Sequence, residues 1–323
     1  MLLHVVHETR YDYLPAVENA QHVVHLKPAD AGGQRLLNHK LTIAPGPAQR
    51  REITDVYGNN RTFFSLQSAH NALRVTADSI VATPPAKQAG AGALMPWERV
   101  REQFRYRAGG AYNSASEFLF ASPYVPRCDE FAQFARTSFA SARPLHEAVQ
   151  GLMQRIHSSM AYESDSTEVN TPALEALRQG KGVCQDFAHI MVACCRAMGL
   201  PARYVSGYML TQPPPGQKRL VGSDASHAWA SVYFPGDSGG EEGPAGAGGQ
   251  WLDFDPTNNR APGEDYVTLA TGRDFLDVSP LRGVIRGGAR HVLHVAVTVE
   301  PLTPEAEAGH THAGALSTGP IEQ

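Results

Sequence analysis

The sequence predicts an α+β protein: a β-rich N-terminal unit resembling a β-sandwich, then a unit of helices packed on antiparallel strands. Three observations carry this. Residues 1–83 alternate apolar and polar positions in short runs separated by turn residues. From residue 97 the apolar spacing changes to threes and fours, which is the helical period. After residue 200 the alternation returns, and no strand–helix–strand repeat links the two regimes.

Within the first unit, Lys40-Leu41-Thr42-Ile43 and the run from Leu73 to Val81 read as strands. Asp55-Val56-Tyr57-Gly58-Asn59 is a turn signal between strands, with Gly58 and Asn59 suited to positive φ. Six histidines lie here (His4, His7, His22, His25, His39 and His70), without the cysteine or carboxylate spacing of a metal site. They read as alternate-face or surface imidazoles on strands. Residues 84–96 begin with a Pro/Gly/Ala-rich stretch that reads as a linker.

The second unit, 97–300, starts with short helices at 97–105 and 129–139 and an extended segment at 122–126. Leu145, Val149, Leu152, Met153, Ile156 and Met160 then mark one face of an amphipathic helix. Thr171-Pro172 resembles a capped start, with Pro at the first helical position. Val183, Phe187, Ile190, Met191, Cys194 and Met198 define the next helix, which Gly199 and Pro201 stop. Gly180 and Gly182 loosen its approach. Strands follow at 202–210, 227–234, 250–255 and 291–299, with a polar loop at 213–216 and a flexible Gly-rich connection at 235–249. Residues 301–323 read as a disordered tail in which His310 and His312 need no role.

Composition narrows the function. The 323 residues are 42% hydrophobic and 19% charged, as in ordinary globular proteins. A formal net charge of −4 gives no reason to expect nucleic acid or an anionic membrane surface as partner. No apolar run approaches the roughly 18 residues of a spanning helix, and the first residues lack the basic start of a signal peptide. The four cysteines include an adjacent pair inside a helix, which is not a disulfide framework. A reduced, cytoplasmic protein is the expectation.

Chemistry concentrates at three positions. Cys184 falls in the first turn of its helix, where unpaired N–H groups and the macrodipole favour negative charge. The thiolate is the nucleophilic form of cysteine. Cys194 and Cys195, mid-helix among apolar residues, read as small buried hydrophobes, and Cys128 as inert. His227, at the mouth of a strand, is the candidate base. Asp255 closes the next strand and could accept the second N–H of the imidazole, fixing its tautomer. Asp253 competes with it, because residues two apart share a strand face. His189, five residues after Cys184, lies about 140° round the helix and reads as packing. A zinc site of Cys184, His189 and His227 lacks paired-ligand spacing.

The segments Gly182-Val183-Cys184-Gln185-Asp186-Phe187-Ala188-His189, Ser226-His227-Ala228-Trp229 and Asp253-Phe254-Asp255-Pro256-Thr257-Asn258 resemble the Cys, His and Asp motifs of the bacterial transglutaminase-like superfamily. Their order fits, as does the intervening run from Gly199 to Tyr208. The N-terminal unit resembles the β-rich domain preceding the catalytic core in one bacterial branch. The resemblance implies a papain-like core with a Cys184–His227–Asp255 triad, and its pattern places the aspartate before Pro-Thr, selecting Asp255. Relatives with such a core include protein crosslinkers, peptidases, peptide N-glycanases and arylamine acetyltransferases. The chain departs from the animal crosslinkers in having no clear tryptophan shortly upstream of Cys184; Tyr162 is a nearer aromatic hydroxyl. Calcium-loop spacing is not evident, and neither metal nor cofactor is expected.

The expected reaction is acyl transfer from an amide of a protein or peptide through a thioester. Hydrolysis is favoured, because a transferase also needs a second-substrate site. Transfer to an amine, as in a protein-glutamine transglutaminase, is the first alternative. A non-catalytic binding module retaining the fold is the second.

Overall fold

The computed structural model describes residues 1–109, 112–163, 171–211, 226–236, 249–288 and 290–302. The expected loop at 213–216, most of the Gly-rich connection and nearly all of the expected tail lie outside the described residues.

The N-terminal unit is organised by one long strand, β1 (Leu2–Val24), with β2 (Arg35–Ala44), β3 (Gln49–Thr54), β4 (Asn60–Leu66) and β5 (His70–Ala82). Their order is β2-β5-β1-β4-β3, all antiparallel. A register shift between Asp12 and Val17 separates the part of β1 paired mainly with β5 from the part paired with β4. The sheet encloses Val17, Val24, Phe64, Leu73 and Val75. Gly58 takes the positive φ expected of the 55–59 turn, +85°. Asn59 does not, and spends its side chain on hydrogen bonds instead. His7, His22, His25 and His70 are buried rather than on the surface. Burial holds the His7 and His22 imidazoles down to about 4, so they are neutral packing groups.

The helical part comprises α1 (Trp97–Gln103), α2 (Asp129–Arg136), α3 (Leu145–Ser159), β6 (Ala161–Tyr162), α4 (Ala173–Gln179), β7 (Lys181–Gly182) and α5 (Cys184–Ala197). Residues 122–126 form a tight turn closed by a Ser122–Val125 bridge, not an extended segment. The strands β8 (Ala202–Met209), β9 (Ser226–Phe234), β10 (Gln250–Phe254) and β11 (Tyr266–Gly272) form an antiparallel sheet in the order β10-β9-β8-β11. The helix α5 is the hub. Residues 186–196 are all buried, enclosed by α2, α3, α4 and the sheet. Each large apolar side chain so buried contributes roughly 1.5–3 kcal/mol.

The last described elements are α6 (Phe275–Val278), β12 (Leu281–Gly287) and β13 (Arg290–Pro301). The strand expected at 291–299 is present, but it does not extend the second sheet. Both β12 and β13 pair with β1 in the first sheet. The physical reason is the length of β1, whose free edge offers an unpaired backbone row that β12 and β13, running end to end antiparallel to it, cover. The strand also continues through Pro301, and Leu302 N–H donates to Leu2 O. Leu3, Val5, Val81, Val297 and Val299 then pack directly on Tyr204, Tyr208, Val267 and Leu269 of the second sheet.

Candidate active site

Cys184 is the first residue of α5. Asp186 Oδ2 accepts from the Val183 N–H at 2.8 Å, fixing the first turn. The preceding glycines do not loosen the chain. Gly180 ends α4 in the left-handed region (φ +67°), and Gly182 pairs with Tyr162 in a parallel ladder. A Cβ on Gly182 would lie 2.6 Å from Asp186 Oδ2, so the glycine makes room for the capping carboxylate. Tyr162 is over half exposed, and its backbone is tied to the strand leading into Cys184.

His227, the second residue of β9, lies opposite Gly207. A Cβ at Gly207 would lie 2.1 Å from Val267 O and 2.5 Å from the Trp229 ring, so glycine is required there. Nε2 of His227 meets Asp255 Oδ2 at 2.7 Å, and the Cys184 thiol donates to the backbone carbonyl of Ser226, the residue before His227, at 4.0 Å. With Nε2 committed to the carboxylate, Nδ1 is the nitrogen left for sulfur. Burial alone would lower the affinity of His227 for its proton. The hydrogen bonds and charges of Asp255 and Cys184 outweigh burial and raise it to about 10.

Asp255 is 0% exposed, yet every described hydrogen bond of its carboxylate is with a donor. Oδ2 accepts from His227, from Tyr266 OH at 2.7 Å and from Asn258 Nδ2 at 2.7 Å. Oδ1 accepts from the backbone N–H groups of Thr257 and Asn258 at 2.9 and 3.2 Å. Burial pushes this carboxyl up, but the hydrogen bonds and the imidazolium bring it below its ordinary value. It stays ionised inside the protein because its lone pairs are occupied.

Sequence periodicity left Asp253 and Asp255 as alternatives, and Asp255 holds the imidazole. Asp253 lines a cavity elsewhere on the sheet. His189 does not meet the thiol: its Nε2 accepts from Phe275 N–H at 3.1 Å, and its ring stacks on Tyr124. Burial pushes the Cys195 thiol up to about 12 and raises Cys194 well above its ordinary value, so both stay protonated. Cys128 is half-buried and contacts Glu130.

Two supporting residues have no assigned role in the sequence reading, Asn258 and Tyr266. Tyr266 lies on β11, the edge strand that reading lacks. The run Tyr266-Val267-Thr268-Leu269 carries the β-branched and aromatic signal that could have marked it. This edge is held from the connections of the N-terminal unit. Asn59 bonds both the N–H and the C=O of Thr271, and Gln34 does the same to Thr268. These amides occupy backbone groups an edge strand would leave open, and they fix the strand that carries Tyr266. Tyr266→Phe keeps the ring against Trp229 but removes one donor from Asp255. We expect urea denaturation to show a loss of about 1–2 kcal/mol.

A helix-borne cysteine beside a strand histidine, on an antiparallel sheet preceded by a β-rich unit, is the transglutaminase-like fold. The sequence comparisons agree. The transglutaminase-like superfamily model matches residues 132–256, and that of the bacterial transglutaminase-like N-terminal region matches residues 3–82. The chain belongs to the transglutaminase-like superfamily. It is 40% identical over 306 residues to an uncharacterized protein of Mycobacterium tuberculosis, covering 94% of this chain and 93% of that one. A protein-glutamine gamma-glutamyltransferase of Pseudomonas aeruginosa is 30% identical over 141 residues, 42% of this chain and 19% of that protein. Among solved structures, a proposed cysteine protease from Cytophaga hutchinsonii superposes with a TM-score of 0.67 at 21% identity, covering 94% of this chain and 93% of that one. That likeness is one of fold.

Proposed function

We propose that this protein is a cysteine acyl-transfer enzyme that hydrolyses an amide bond of a protein or peptide. Cys184 is the nucleophile, His227 the acid–base and Asp255 the group that orients and charge-balances His227. The observation carrying this reading is the buried Asp255 carboxylate held on the His227 imidazole at 2.7 Å, with the Cys184 thiol reaching the adjoining Ser226 carbonyl. The thiolate adds to the amide carbonyl, and the backbone N–H of Cys184, without an intrahelical partner, can donate to the oxyanion. Imidazolium then gives its proton to the leaving amine, and a thioester remains. Water, deprotonated by His227, releases the acid. A reducing cytoplasm suits a mechanism that needs a free thiol.

Amine transfer is the second reading, favoured by the partial similarity to the Pseudomonas glutamyltransferase. Incubating the protein with a glutamine-rich protein, with and without a primary amine, separates the two by mass spectrometry. Peptide cleavage or deamidation supports hydrolysis, and amine adducts support transfer. A direct test of the nucleophile is alkylation with iodoacetamide near neutral pH. Cys184 should react at least about tenfold faster than Cys128, and His227→Ala should remove most of that advantage. Equal rates for the two cysteines would refute the assignment.

A further inference from the structure

A groove runs between α2 and the C-terminal end of α5 and on to the end of α1, as two adjoining hollows of about 660 and 400 Å³. The small side chains Ala132, Ala193 and Ala197 border the larger hollow and leave it open. Arg101, Arg105, Arg127, Arg136 and Arg196 border the groove, against the carboxylates of Glu102 and Asp129. The whole chain has a formal net charge of −4, so the groove opposes the sign of the rest of the molecule.

Two of these cations are already committed. Arg196 is buried and donates to the carbonyls of Ala202, Phe120 and Arg273. Arg105 faces Glu102 at 3.7 Å. Arg101, Arg127 and Arg136 are exposed, and none of them reaches a described carboxylate, Asp129 included, at ion-pair distance. Arg101 is nonetheless held in place. Its guanidinium lies 4.8 Å from the Trp97 ring centroid, and its stem covers Gly199, where a Cβ would lie 2.8 Å from Arg101 Cγ. Packing of this kind orders the side chain in advance and reduces the entropy lost on binding. Phe120, between the lining residues Leu119 and Ala121, is 57% exposed. Arginine and aromatic side chains are the types enriched where proteins meet.

We propose that this groove docks an acidic segment of a partner protein, with carboxylates on Arg101, Arg127 and Arg136 and an apolar side chain against Phe120. Arg101 and Arg127 border both hollows, and Arg136 the larger one alone. Charge spread in this way suits a chain bearing several carboxylates better than a lone anion, and a planar guanidinium matches a carboxylate in shape. The net negative charge of the molecule disfavours a nucleic acid as occupant. The groove meets the last turn of α5, whose first residue is Cys184, about 20 Å away at roughly 1.5 Å per residue. A docked segment thus leaves the candidate active site open, and the proposal does not depend on the reaction assigned to Cys184.

Fluorescence anisotropy tests it. A short fluorescein-labelled peptide of alternating glutamate and leucine, titrated with the full chain at low ionic strength, should show a saturable rise. Arg127→Gln and Arg136→Gln, both at exposed positions, should each weaken binding by about three- to tenfold, the worth of a charge-assisted contact near the surface. Phe120→Ala should weaken it several-fold, and the same peptide with glutamine for glutamate should not bind. Arg51→Gln on β3, also exposed and away from the groove, should leave binding unchanged. A loss for Arg51→Gln equal to that for Arg136→Gln would show diffuse attraction and overturn the proposal. Unchanged binding by the groove variants, or an unsaturable response, would do the same. An oligothymidylate binding as tightly as the acidic peptide would overturn the assignment to a protein segment.

Discussion

Asp255→Asn should lower turnover by about 10⁴-fold, the loss seen when the orienting aspartate of a catalytic triad loses its charge. The substitution preserves shape, but here an amide is poorly matched. All five described partners of the Asp255 carboxylate are donors: three aim at Oδ2 and two backbone N–H groups aim at Oδ1. An asparagine NH₂ in the Oδ2 position would face His227, Tyr266 and Asn258; in the Oδ1 position it would face two amide hydrogens. Either placement leaves donors against donors in the interior, at about 1–3 kcal/mol for each lost bond. The variant should therefore lose stability as well as rate. Measuring turnover beside a urea denaturation curve separates the two effects. Retention of more than a tenth of native turnover by the folded variant would remove Asp255 from the mechanism.

The same carboxylate shows where sequence reasoning stopped. Cys184, His227 and Asp255 were legible because each stands at an element boundary with a recognisable local pattern. The choice between Asp253 and Asp255 was not legible from period, because two residues on one strand face differ only in what lies beyond the strand end. The sequence resemblance supplied that choice. Tyr266 escaped because its role depends on a hydrogen bond across the sheet from the edge strand β11. Local pattern can mark a strand but not its neighbour. The closing strands illustrate the same limit on a larger scale. Apolar alternation identified a strand at 291–299, yet nothing local records that β1 is 23 residues long and open along one edge. Asn59 carries both lessons, since its turn was legible while its two bonds to Thr271 were not.

Turnover should hold through neutral pH and fall on the alkaline side near pH 10, about tenfold per unit beyond it. His227 must be protonated to deliver a proton to the leaving amine. Burial works against that proton, and the Asp255 and Cys184 contacts hold it until about pH 10. In the unfolded chain a histidine titrates near 6.5. Below that value both states are protonated, and the stabilising contribution of the raised group is fully present. Between about 6.5 and 10 the folded state binds more protons than the unfolded one, so stability declines as pH rises. Above about 10 this contribution is gone. Rate and stability thus share one titration. Asp255→Asn removes the first of the influences that raise His227, so its alkaline limit must move toward neutrality. A pH–rate profile of the native protein and this variant, paired with chemical denaturation at pH 7 and pH 9.5, tests both. A variant profile superimposable on the native one after scaling would show that Asp255 does not govern the imidazole, and the proposed triad would fail with it.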